Sequence, residues 1–409
     1  MTTRVERWTG LDLREQAPAL LVGMGHGGTH WVIGTFYLLL PYIKADLDIS
    51  YAAAGTLITI FNLAAFGANF GSGWLVDVVG RRVLLMMLSL GVGAAALFLC
   101  GWADGFVSLA CLLVLIGATN HLWHPPAISL LAQMFPDNKG YALSLHALGA
   151  SVGDAISPLM VGALLAWFSW QGAAPIAALP VFVVVAILGL GLLRLEREGG
   201  AVAKEQTKVA SGDYFTGILR ILRDRAVVGL SIMASFRIAA QHGLLVFVPM
   251  YLAIELGAEP IVVGLGVAAM QAGGVIAGPI AGVWSDRVGR RPIVFAGLGI
   301  STVIIFLLTL SGSEPVFIAG IAVLGFVLFA VRPVVHGWMM DIAPPDMRGG
   351  AVSVLFGGQY LFSMATPVVG GMIADTWGLP AVFYALAATM LVANVVTFML
   401  PSEKQRTGG

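Results

Sequence analysis

GWLVDVVGRR, residues Gly73 to Arg82, returns 209 residues later as GVWSDRVGRR, Gly282 to Arg291. Two more landmarks keep that spacing: PDNKG (Pro136–Gly140) returns as PDMRG (Pro345–Gly349), and Pro158 returns as Pro367. Three landmarks at one offset mark a duplication that divides the 409 residues into two similar halves. A parallel repeat of six helices and six helices is a transporter architecture, with a substrate site near the bilayer midplane between the halves.

Composition supplies the six and six. The chain is 58% hydrophobic and 11% charged with a mean hydropathy of +0.90, whereas about a quarter of the residues of a soluble domain are charged. Twelve apolar segments of about 20 residues or more, each long enough for a bilayer core of roughly 30 Å, run near 16–43, 50–76, 83–102, 105–134, 140–168, 172–194, 226–254, 261–284, 292–311, 315–341, 349–376 and 379–400. Continuous runs of this kind exclude a membrane barrel, whose strands alternate in polarity over about ten residues. The expected fold is an all-α membrane protein with twelve transmembrane helices in two pseudo-symmetric bundles. Residues 1–194 form the first, 195–225 a polar linker and 226–409 the second.

Charge sets the orientation. With a cytoplasmic N-terminus, 19 of the 22 Lys and Arg residues fall on the cytoplasmic side, Lys44 alone lies outside, and Arg237 and Arg332 lie within helices. This is the positive-inside bias of an inner (plasma) membrane protein with both termini in the cytoplasm. The first 15 residues hold no apolar core of a signal peptide, and the two cysteines, Cys100 and Cys111, make no disulfide framework. The net charge of zero says nothing about partners. Neither a phosphate-binding nucleotide loop nor any nucleic-acid motif is present.

The repeated GxxxDxxGRR resembles the signature loop of the major facilitator superfamily, and the resemblance spans the whole chain. It implies that helices 1, 4, 7 and 10 line the cavity and that the loop latches the cytoplasmic gate. The gate residues by that resemblance are Gly73, Asp77, Gly80, Arg81 and Arg82, with Gly282, Asp286, Gly289, Arg290 and Arg291. A carboxylate at a helix end beside arginines can pair in one state and release in the other. Within the superfamily, GHGGTHWVIGTFYLLLPYI (Gly25–Ile43), NHLWHPP (Asn120–Pro126) and GYALSLHALGASVGDAISPLMVG (Gly140–Gly162) resemble the fosmidomycin-resistance branch of exporters, which has a His early in helix 1 and a His-Pro pair in helix 4. Gly28 and Thr29 stand here where that branch has Asn-Asp.

The polar residues inside these helices point to the substrate. Asn120 and His124 are four apart and share a helix face, and Pro125 removes a backbone donor, a break tolerated where the helix lines water or is buried in protein. All seven histidines, His26, His30, His121, His124, His146, His242 and His336, fall in predicted helices, six of them on helices 1, 4, 7 and 10. Arg237 and Arg332 sit roughly 14–15 Å deep at 1.5 Å per residue, and a cation there is a functional site by default. Asp154 is the one carboxylate expected at such depth, so a positive excess is left for an anionic substrate, gripped by guanidinium forks. The expected substrate-binding residues are Arg237, Arg332, His26, His30, Asn120, His124 and His242.

GASVGDAISPLMVG (Gly149–Gly162), echoed by TPVVGG (Thr366–Gly371), resembles the Gly-Pro motif of proton-coupled antiporters. Asp154 beside that bend is the expected proton carrier, with a histidine, whose ordinary pKa is near 6.5, as the alternative. The resulting reading is proton-coupled export of a small organic anion or drug-like compound by a monomer in the lipid bilayer. It is not an enzyme, and it needs no metal and no cofactor. Two rival transport readings remain, an importer or facilitator of an anion and an exporter of a metal complex or siderophore using the histidines. An intramembrane metalloenzyme is disfavoured because no HExxH appears and the paired gate loops would have no purpose. A sensor lacks room for a signalling domain.

Overall fold

The computed structural model describes residues 10–198, 220–344 and 348–400. Among them every regular element is helical, as the continuous apolar runs require. The twelve helices are α1 (Leu13–Asp46), α2 (Tyr51–Val79), α3 (Arg82–Cys100), α4 (Phe106–Met134), α5 (Lys139–Leu165), α6 (Trp170–Glu198), α7 (Arg225–Glu255), α8 (Pro260–Val288), α9 (Arg290–Leu307), α10 (Glu314–Ile342), α11 (Arg348–Trp377) and α12 (Leu379–Met399). Eleven are long and apolar enough to cross a membrane. The other is α1, whose middle reads GMGHGGTH (Gly23–His30), small and polar where its neighbours are aliphatic. Most of the expected linker, 199–219, lies outside the described residues, as do 1–9, 345–347 and 401–409.

Local chemistry explains the helix ends. Asp12 accepts from the backbone N–H of Arg14 and Glu15, and Glu15 accepts from the Asp12 N–H, which closes a capping box at α1. Asp224 caps α7 in the same way, accepting from Ala226 and Val227. Each cap satisfies donors that the first helical turn leaves over, a contribution of about 1 kcal/mol. Both repeated loops turn on glycine: Gly80 has φ 66° and Gly289 φ 101°, where a side chain would strain the backbone. The helix α4 breaks at Trp123, since Pro125 and Pro126 cannot donate to the carbonyls one turn back.

The described chain divides into two compact units. The first holds α1, α2 from Ile60, α3 to α6, and Glu259–Ala268 at the start of α8; the second holds Ile49–Thr59 at the start of α2, α7, α8 from Ala269, and α9 to α12. Each unit contains the same tight crossing. In the first, Gly264 of α8 abuts the Pro158 carbonyl of α5, and Gly162 abuts Pro260. In the second, Gly55 of α2 abuts the Pro367 carbonyl of α11, and Gly371 abuts Tyr51. Every partner in one crossing lies 209 residues from its counterpart in the other, so the duplication read from the loops extends to helix packing. Glycine is needed at these positions because a Cβ would collide with the facing backbone.

Large apolar side chains remain exposed along the helices, among them Leu63, Val107, Leu190 and Leu361. Of the exposed tryptophans, Trp102, Trp167 and Trp377 sit at helix ends. An apolar surface with Trp at its margins is the surface of a protein immersed in lipid.

Candidate functional site

The histidine cluster of the first unit is built by glycine. On α1, Gly23 and Gly27 face Gly149 and Gly153 of α5 so closely that a Cβ on any of the four would strike the other helix's backbone. The two GxxxG sequences let the backbones touch, and the polar residues between them are pressed together. His26 donates from Nδ1 to the His146 carbonyl at 2.8 Å, and its ring stacks on the His146 ring with centroids 3.8 Å apart. One turn further, His30 Nδ1 lies 3.0 Å from Asp154 Oδ1.

The helix α4 adds its residues where it breaks. His124 Nε2 lies 3.2 Å from His26 Nε2, the indole Nε1 of buried Trp123 donates to His146 Nε2 at 3.3 Å, and Asn120 Nδ2 donates to the Thr29 carbonyl at 3.2 Å. His121 ring lies 5.5 Å from that of His124. The expected residues His26, His30, Asn120, His124 and Asp154 are thus brought together in one unit. His146, which the sequence reading left off the cavity helices, belongs with them: it is only 5% exposed and touches His26 and Trp123. The signal that identifies it is the matching GxxxG on helices 1 and 5, which sets their register.

The second unit gathers positive charge. Arg237 on α7 is 1% exposed and donates from Nη1 to Gln241 Oε1, one turn on, at 2.9 Å. Its Nε has no hydrogen-bond partner, nor has Nδ1 of His242. Arg332 on α10 is exposed yet close enough for its charge to act on Arg237, His242 and His336. Among the described residues no carboxylate pairs with either arginine. Asp154 meets His30, and among the described residues both arginines are without an acidic partner.

The two units use equivalent positions differently. Phe236 and Phe362, 209 residues on from Gly27 and Gly153, are in edge-to-face contact at 4.9 Å. The positions equivalent to His26, His30 and Asp154 are Ser235, Ala239 and Ser363. The same crossing therefore carries imidazole and carboxylate in one unit and neither in the other.

At the repeated loops, Arg290 is the centre of a network: it pairs with Asp286 at 2.5 Å and Asp341 at 3.1 Å and donates to Ser285 Oγ at 2.6 Å. In the first unit Arg82 donates to Gln133 on α4. The Asp77 side chain lies outside the described residues, Arg81 is exposed, and Gly73 and Gly282 face open space. Arg291 lies over the Phe398 ring at 5.9 Å.

The profile of the Major Facilitator Superfamily matches residues 22–251 and, a second time, residues 230–408. A putative metabolite transport protein of Haemophilus influenzae is 27% identical to the chain, over 94% of it and 95% of the relative. The multidrug efflux pump Tap of Mycolicibacterium fortuitum is 28% identical over 95% of each. The oxalate:formate antiporter of Oxalobacter formigenes is 26% identical over 88% of the chain and 85% of its own. Among solved structures, a bacterial homologue of the human lysosomal transporter Spinster superposes with a TM-score of 0.81 at 17% identity, covering 96% of this chain and 98% of that one.

Proposed function

The chain belongs to the Major Facilitator Superfamily, and from that premise we propose that it is a proton-coupled exporter of a small organic anion or anionic drug-like compound, working by alternating access. The observation that carries the substrate class is Arg237: a guanidinium 1% exposed, with an unpartnered Nε and no carboxylate beside it among the described residues. A buried cation in a membrane helix costs several kcal/mol unless a counter-charge arrives, and a bound carboxylate, phosphate or phosphonate supplies one through paired N–H···O bonds. Arg332, His242 and Gln241 of the same unit are the further donors. The relatives include both a multidrug efflux pump and an oxalate:formate antiporter, which supports export and anions alike.

Asp154 is the proposed proton carrier. It lies on α5 four residues before Pro158, half-buried, with His30 as its partner, and protonation of the carboxylate removes the charge that the His30 N–H faces. The Arg290–Asp286–Asp341 network is the proposed gate latch in the second unit, with Gly73, Asp77, Gly80, Arg81 and Arg82 serving the first. Within the superfamily we assign the chain to the fosmidomycin-resistance branch on His26 and His124-Pro125. It would act as a monomeric transporter, not an enzyme, in the inner membrane with both termini cytoplasmic and with no nucleic-acid partner.

The test is direction-resolved transport. Inverted and right-side-out vesicles carrying the protein are given a pH gradient and a panel of labelled mono- and dicarboxylates, phosphate and fosmidomycin. Export predicts gradient-dependent accumulation in inverted vesicles only; accumulation in right-side-out vesicles makes the protein an importer, and no response to any anion removes the substrate class.

A further inference from the structure

One ring nitrogen from each of His26, His30 and His124 lies within 4.8 Å of the others, and the two Nε2 atoms of His26 and His124 are 3.2 Å apart. Nitrogens bound to one tetrahedral zinc at about 2.0–2.1 Å stand roughly 3.3 Å from each other, so that pair is already at ligand spacing. We propose that His26, His30 and His124 bind one divalent first-row transition metal, with zinc the best fit, through their Nε2 atoms and with a fourth position open.

The outer hydrogen bonds carry the argument further than the distances do. A carbonyl oxygen only accepts, so His26 must hold its proton on Nδ1 to reach the His146 carbonyl. An ionised carboxylate likewise only accepts, so His30 holds a proton on Nδ1 toward Asp154. In the neutral rings both Nε2 atoms are then bare lone pairs. Metal-binding histidines in general direct their second nitrogen to a carbonyl or carboxylate, which fixes the ring and its tautomer; here α5 supplies one of each. Without a metal, the close Nε2 pair needs a proton between the rings, with Nδ1 of His124 then the bare nitrogen. That atom is buried and makes no well-formed hydrogen bond, although the Asn120 backbone acts on the ring.

Other groups near the site do not compete for the role. His146 Nε2 already accepts from Trp123, and His121 is not within the set. His26 is buried, while the His30 and Asp154 side chains are 29% and 30% exposed, so an ion has an approach on the His30 side and an exchangeable fourth ligand. Three neutral imidazoles favour zinc, cobalt, nickel or copper over magnesium or calcium, which prefer oxygen ligands. The inference departs from the expectation of no metal read from the sequence, and it does not rest on the transport reading, because binding is measured without substrate or gradient.

The experiment uses the full chain in detergent, stripped with chelator, and titrated with Co2+ and Zn2+ by absorption and by thermal unfolding. The wild type is expected to take up one Co2+ per chain with the visible bands of a four-coordinate nitrogen site, lost when Zn2+ is added, and to unfold at a higher temperature with Zn2+. His30→Gln and His124→Gln should abolish the bands, His121→Gln should keep them, and Asp154→Asn should weaken binding by roughly ten- to a hundredfold through loss of the outer hydrogen bond. Wild-type protein that shows neither bands nor a zinc-dependent rise in unfolding temperature overturns the proposal, whatever the variants do. Bands that survive His30→Gln and His124→Gln together overturn it as well.

Discussion

His30 Nδ1 of α1 lies 3.0 Å from Asp154 Oδ1 of α5, joining residues 124 positions apart in the middle of the first unit. The pair is the natural place for a transported proton, because neutralising the carboxylate removes the charge that the His30 N–H faces. Asp154→Asn mimics the protonated acid. Transport driven by a pH gradient should fall to background while substrate counterflow continues at a measurable rate, both read in liposomes from one preparation. Gradient-driven transport that persists in Asp154→Asn, and in His26→Gln, His30→Gln and His124→Gln, would rule out this coupling scheme.

The α1–α5 crossing sets that distance, so it should be sensitive to a side chain placed in the seam. Gly149 meets the Gly23 carbonyl and Gly153 the Gly27 carbonyl. Overpacking of a tight interface costs typically about 1–3 kcal/mol. Gly153→Leu should therefore lower the unfolding temperature and disable transport, whereas Phe362→Leu, at the equivalent and already filled position of α11, should be tolerated. Equal effects of the two changes would show that the crossings are not specialised.

Much of this was legible before any coordinates. The 209-residue offset marks the duplication, and it extends to the contacts of Gly162 with Pro260 and Gly371 with Tyr51, whose partners Pro260 and Tyr51 lie in no motif. Helix number followed from hydropathy because lipid imposes length on every span. Lateral packing was harder to read. When both faces of a helix are apolar, one against protein and one against lipid, the 3.6-residue period no longer marks the buried side. His146 lies on helix 5, outside the helices that the resemblance assigns to the cavity, and no spacing in the sequence identifies His30 as the partner of Asp154. The GxxxG pairs at Gly23–Gly27 and Gly149–Gly153 held the register, since only small residues permit such contact.

The loop network gives a third expectation. Arg290 holds Asp286 and Asp341 with its side chain mostly covered, while both acids are more than half exposed, so each pair alone is worth well under 1 kcal/mol in stability. Asp341→Asn should leave the unfolding temperature within a degree or two yet shift the labelling of cysteines introduced on either side of the membrane, because conformers separated by a few kcal/mol respond to small biases. Unchanged labelling would reduce the network to an anchor for topology. Gly289→Ala, at φ 101°, should be costlier to stability than Asp341→Asn.

The central claim is that Arg237 and Arg332 grip an anion, and binding by substituted proteins tests it most directly. Affinity for the best anion of the vesicle panel is measured on wild type, Arg237→Ala, Arg332→Ala and Arg237→Lys, each first shown to be folded by its elution and unfolding temperature. Removing one partner of a buried charge pair costs at least about 2 kcal/mol, so Arg237→Ala should bind roughly thirtyfold or more weakly, and Arg332→Ala, at an exposed position, should lose affinity by a smaller factor. Arg237→Lys should recover only part of that loss, since an ammonium lacks the planar fork. Wild-type affinity in both alanine variants would contradict the account.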